Sequence, residues 1–157
     1  MLINSALNGA VSKLDLQILD FVTLLLNRVV DVCVEVKIPE SAHPHLHCHS
    51  ISRAISQNVK HVQCVDGYML GLQPNESGQL LLVRALHSWL VTNDNTIIDP
   101  YPVGYVTPCP VLAGKGKYAA FGCVMYQSNK DVTKKILTPK MLRETWYLSR
   151  VIKTVMS

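Results

Sequence analysis

Leu80-Leu-Leu-Val-Arg-Ala-Leu-His87-Ser-Trp-Leu-Val-Thr92, then Asn-Asp-Asn95, then Thr96-Ile-Ile-Asp99-Pro100, reads as a β-hairpin. Leucine, valine and tryptophan suit a pleated, half-buried surface, and the Asn/Asp cluster is turn chemistry. The spacing predicts strands over 80–91 and 96–98 around a turn at 92–95. Alternation puts His87 and Trp89 on one face. A connection symmetric about Asn93 sets His87 directly opposite Asp99. An even-length loop displaces the pairing by one and leaves them diagonal neighbours. Either register gives a carboxylate an imidazole to orient.

Working upstream, Val59 to Leu72 is rich in β-formers, with Asp66-Gly67 expected to mark a bulge or kink, and Pro74 to Gly78 is a turn. Before it, Cys48 opens a short helix ending near Asn58, with Ile51, Ala54 and Ile55 on one face. Residues 39–47 read as a loop. Val32, Val34, Val36 and Ile38 alternate with polar residues, which predicts a strand over 31–38 stopped by Pro39. Leu14, Ile18, Phe21, Val22, Leu25 and Leu26 recur at helical spacing, so 12–28 is expected to be an amphipathic helix capped by Ser12.

Downstream, a Pro/Gly loop is expected to reach Lys117, followed by a strand over 118–127. Thr138 and Pro139 then open a closing helix whose inner face is Met141, Thr145, Leu148, Ile152 and Val155. This order predicts an α+β domain.

The 157 residues are 48% hydrophobic and 17% charged, which excludes a disordered chain and fits a single domain over 1–157. The net charge of +4 is spread without a dense basic stripe, so no nucleic-acid partner is expected. The most apolar segment, Leu14 to Val36, is broken by Asp20, Arg28, Asp31 and Glu35, so neither a span nor a membrane partner is expected. Nothing at the N-terminus reads as a signal peptide. Five cysteines, none at Cys-x-x-Cys spacing, point to a reducing, cytoplasmic setting and leave room for a reactive thiol.

Three residues carry candidate chemistry. Cys48 starts a helix, where unpaired amides and the dipole favour a thiolate and could hold an oxyanion. His87 is placed to act as base, and Asp99 to fix its tautomer. Cys48 on a helix start, His87-Ser-Trp-Leu on a strand and Ile98-Asp99-Pro100 at the next strand's end resemble the transglutaminase-like branch of the papain-like cysteine enzymes. Ser88 stands where that family usually has alanine. The resemblance spans about residues 45–104. It implies a papain-like core, with the Cys48 helix on an antiparallel sheet and flanking helices at both ends. It also implies thiol acyl chemistry on a peptide or protein amide, without a cofactor. His45, His47, Trp89 and Tyr101 are candidates for oxyanion or substrate contacts, Trp89 more readily as a shield over the imidazole.

An alternative rests on His43-Pro-His45-Leu-His47-Cys48-His49, where alternation puts four imidazoles on one side of an extended segment. In that reading His43, His45, His47 and His49 make a non-catalytic metal-binding or protein-interaction module. Gly114-Lys-Gly116-Lys lacks phosphate-loop spacing. Lys130, Lys134, Lys135 and Lys140 read as a solvated face.

Overall fold

The computed structural model describes residues 2–3, 11–35, 47–103, 108–115, 118–121 and 124–157. Helix α1 spans Lys13–Glu35 and α2 Cys48–Asn58. Strands β2 (Val62–Pro74), β3 (Leu80–Thr92), β4 (Thr96–Asp99), β5 (Val111–Lys115), β6 (Tyr118–Phe121) and β7 (Val124–Ser128) follow. A short 3₁₀ turn, Lys130–Val132, leads into α3 (Thr133–Ile136) and α4 (Pro139–Met156). With β1 (Leu2–Ile3), the described strands form one sheet in the order β1-β5-β4-β3-β2-β7-β6, antiparallel except for the β1–β5 pair. The fold is α+β.

One sheet face meets the helices. Leu19, Val22 and Leu26 of α1, Ile51 and Ile55 of α2, and Leu148 and Ile152 of α4 bury against Val62, Leu90, Ile98 and Leu112. The opposite face holds a smaller cluster of Met69, Trp89, Ile97, Ala113 and Tyr126. Ser12 caps α1 by accepting the Asp15 N–H, and its hydroxyl donates to Asp94 in the β3–β4 turn. Thr138 caps α4 in the same way, and all five expected inner positions of that helix are buried.

Several expectations are corrected. The strand over 31–38 is overturned across 31–35, where α1 continues; 36–38 lie outside the described residues. Val29, 1% exposed, extends the stripe of Val22, Leu25 and Leu26, and each further helical residue adds a backbone bond at little cost. The inner face of α1 is also rotated from the expected one: Leu14 and Phe21 are nearly half exposed, and Leu19 and Val29 are inside.

No bulge occurs at Asp66-Gly67; β2 and β3 pair without a break from Val62↔Thr92 to Pro74↔Leu80. Gly67 is required for another reason. A Cβ there would lie 2.0 Å from the Gln127 carbonyl oxygen of β7. The loop expected up to Lys117 contains β5, whose short Val-Leu-Ala run hides between Pro110 and Gly114. The single strand expected over 118–127 is the β6–β7 hairpin.

The hairpin register also differs from both expected ones. Leu90 pairs with Ile98 and Val91 with Ile97, so the connection is centred on Asp94. Asn95 takes φ 61° and donates its N–H to the Thr92 carbonyl, closing a three-residue loop with a left-handed last residue. Continued by one residue, this register sets Asp99 opposite Trp89. His87 is then a diagonal neighbour on the same face.

Candidate active site

The β3–β4 ladder begins only at Leu90, so among the described strands none pairs with His87 and Ser88 on that side of β3. The start of α2 meets the sheet here. His49, in the first turn, bonds through Nδ1 to Ser88 Oγ at 2.7 Å, and Cys48 beside it interacts with both His49 and His87. The N-cap, His47, is exposed in an extended conformation (φ −90°, ψ 147°) and contributes no side-chain cap bond. Among the described residues no side chain caps the first-turn amides.

His87 is wholly buried. Its Nε2 bonds Asp99 Oδ2 at 2.7 Å. The same oxygen accepts the Tyr126 hydroxyl at 2.8 Å, while Oδ1 accepts the Tyr101 backbone N–H at 3.1 Å. A fully buried carboxylate needs such partners, and Asp99 has three. Trp89 and Tyr126 wall the imidazole, with ring centroids 6.1 and 6.2 Å from it. Nδ1 of His87 makes no hydrogen bond of ordinary geometry and is the nitrogen left for the Cys48 thiol.

The electrostatics couple these groups. Burial pushes the Cys48 thiol up, but its interactions with the neighbouring His49 and His87 rings more than offset it and bring the thiol down to about 6. Burial likewise disfavours charge on His87, yet Asp99 and Cys48 raise it to about 10. Between those values the pair rests as thiolate and imidazolium. Cys64 of β2, on the Ser88 face beside Arg53 and Asp66, is pushed up to about 12, mainly by burial, and stays a neutral thiol.

The structure thus brings Cys48, His87 and Asp99 together. Trp89 is 1% exposed and lies against the imidazole, out of reach of solvent. Tyr101 is half-buried; its ring packs on the helical core and its amide holds Asp99. His43 and His45 lie outside the described residues. Among the described residues no three His, Cys, Asp or Glu side chains cluster as metal ligands. His49, expected only as one of four loop imidazoles, belongs to α2 and to the Cys48 environment.

Two participants were not anticipated. Tyr126 sits in an undistinguished strand segment 27 residues beyond Asp99; a buried tyrosine's need for a hydroxyl partner was its only signal. Asp66, read as a bulge marker, accepts from Ser88 (2.6 Å), Thr133 (2.8 Å) and the Arg53 guanidinium, with which it forms an ion pair. Burial disfavours its charge, but these donors hold its carboxyl below the usual range.

No protein-family model matches the chain, nor does any curated protein or solved structure. Among the described residues no helix is long and apolar enough to cross a membrane.

Proposed function

We propose that this chain is a thiol-dependent acyl-transfer enzyme of papain-like, transglutaminase-like architecture, acting on a peptide or protein amide in a reducing compartment such as the cytoplasm. The observation that carries the reading is a helix-start thiol beside a buried imidazole whose other nitrogen is fixed by a carboxylate 2.7 Å away. The Cys48 thiolate attacks the carbonyl carbon and forms the C–S bond, and the first-turn amides of α2 receive the oxyanion. As the C–N bond breaks, His87 Nδ1–H protonates the leaving amine. His87 then takes a proton from water or from an acceptor amine. That nucleophile attacks the thioester and the C–S bond breaks, restoring thiolate and imidazolium.

Alkylation by iodoacetamide against pH, with Cys48 identified by peptide mass, tests this. The expected rate is flat above about pH 6 and falls below it, as the thiolate is protonated. In His87→Ala the midpoint should move up toward the ordinary thiol value of about 8.5. A midpoint near 8.5 in the unaltered protein removes His87 from the mechanism. Cys48→Ser should abolish turnover of an aryl-ester and glutamine-amide panel with little change in melting; a loss of about 2 kcal/mol or more marks Cys48 as a packing residue. Turnover abolished by EDTA overturns the thiol reading in favour of a metal site in the His43–His49 segment.

A further inference from the structure

Residues 130–157 contain seven of the chain's fifteen Lys and Arg but only Asp131 and Glu144 as acids, a net +5. The remainder has eight cations against nine acids, a net −1, so the whole positive excess of the protein lies in α3, α4 and their flanks. Glu144 is buried, whereas Lys140, Arg143, Arg150 and Lys153 are exposed.

This charge borders a cleft. Between α2 and α4 lies a cavity of about 500 Å³, walled by Leu137, Leu142 and Trp146, with Arg150 and Lys153 among its lining and no acidic residue. Trp146 is 61% exposed and Leu142 52%, and the two sit one helical turn apart on the cleft wall. The Arg150 guanidinium lies 4.8 Å from the Trp146 ring centroid, which holds the indole against the cleft. Neither Arg150 nor Lys153 makes an ion pair with a described residue. The cleft also reaches Arg53, five residues along α2 from Cys48, or about 7.5 Å at the helical rise.

We propose that the α2–α4 cleft docks an acidic peptide segment of a partner protein, seating one large apolar side chain against Trp146 and Leu142 and pairing its carboxylates with Arg150 and Lys153. Charge complementarity selects an acidic partner, and the recessed apolar wall selects a peptide. A single-stranded nucleic acid is bound through several aromatic platforms along a basic track, and this cleft offers one exposed indole. The inner face of α4 is committed to the core, and the apolar side chains it leaves exposed, Leu142, Trp146 and Met156, are too few for a helix that lies on a membrane. The inference stands without the catalytic reading.

The test uses the full chain and a short fluorescein-labelled peptide of Asp and Glu with a central Phe, with a Phe-free peptide as control. Saturable binding is expected, equal in Cys48→Ser, weakened by salt, and tighter for the Phe peptide. Trp146 emission should change on binding, while Trp89 is buried away from the cleft. Arg150→Glu with Lys153→Glu should weaken binding roughly tenfold or more, since two attractions become repulsions. It should leave the alkylation rate of Cys48 unchanged. Should that variant unfold, Trp146→Ser reads the apolar half, and the two peptides should then bind it equally. Absent binding, equal binding to the charge-reversed protein, or tighter binding of an oligonucleotide or of anionic vesicles overturns the proposal. A reactive Cys48 with no peptide binding defeats only the docking; a bound peptide with an ordinary Cys48 thiol defeats only the chemistry.

Discussion

His87 and Ser88 are consecutive on β3, point to opposite faces of the sheet, and each bonds a carboxylate. The two networks differ in their cation. Asp66, on the Ser88 side, is matched by the Arg53 guanidinium, which keeps its charge at any ordinary pH, and by the hydroxyls of Ser88 and Thr133. Asp99, on the His87 side, is matched by an imidazole whose charge depends on a proton, within walls of Trp89 and Tyr126. A carboxylate balanced by a permanent cation fixes geometry. One balanced by a titratable cation, next to a thiol, can take part in proton transfer. Both networks end at the first turn of α2, the Ser88 side through His49 and the His87 side through Cys48, so one holds the helix start that the other uses.

Asp99→Asn is the largest break available. The amide offers His87 Nε2 an ambiguous partner and withdraws the charge that does most to raise the ring. Turnover should fall by about 10⁴-fold, the scale of the corresponding change in serine proteases. The acid limb of Cys48 alkylation should move up from about pH 6. A mild loss, with the limb unmoved, would make Asp99 a structural residue and the two networks alike.

Asp66→Ala comes next, and its effect should be on stability. Arg53 and Asp66 are 13% and 7% exposed, and removing one partner leaves the guanidinium buried without its counter-charge. A loss of about 3 kcal/mol is expected. Urea unfolding measures it, and Cys48 alkylation below the midpoint should be nearly normal. The pH dependence follows from the lowered carboxyl: its contribution is complete above the ordinary carboxylate value and is lost as pH falls through the folded one. Acid unfolding should begin at higher pH in Asp99→Asn than in the unaltered protein only if Asp99 is also a stability anchor, and that result would erase the distinction between the networks.

Much of the His87 side was legible in the chain. Alternation along Leu86 to Leu90, the Asp-Pro strand end and a Cys at a helix start are local signals, and they placed all three residues on the right elements. The register was not legible, because Asn95 in the left-handed region sets the loop at three residues. The Ser88 side was nearly invisible. Asp66 acquires meaning only when β2 lies beside β3 and α2 crosses both, bringing Arg53 and Thr133 from 13 and 67 residues away. The continuation of α1 through 31–35 was hidden for a related reason: Val32 and Val34 carry a strand pattern, and packing through Val29 decides against it.

Tyr126→Phe sharpens the comparison at smaller scale. The lost hydroxyl donates to the same Asp99 oxygen that holds His87. A hydrogen bond to a charged group contributes about 2 kcal/mol, so the domain should melt several degrees lower. With one competitor for Oδ2 gone, the bond to His87 should strengthen, and the alkylation profile should hold its acid limb. A large rise in that limb would mean that Tyr126 supports the imidazolium directly.

Ser88→Ala should have the smallest effect and discriminates most sharply. Ser88 has one proton, committed to Asp66 at 2.6 Å, so its oxygen accepts from His49 Nδ1 at 2.7 Å. Removing that oxygen costs Asp66 one of its donors, while Arg53 and Thr133 remain, and about 1 kcal/mol of stability is expected. It also frees the His49 ring that helps hold the Cys48 thiol down. One hydrogen bond of about 1 kcal/mol corresponds to a little under one pH unit, so the acid limb should rise by no more than that. The measurement is alkylation of Ser88→Ala and Asp99→Asn side by side from pH 5 to 9. If Ser88→Ala moves the limb as far as Asp99→Asn, the two faces of β3 do one job, and the division between holding and reacting fails.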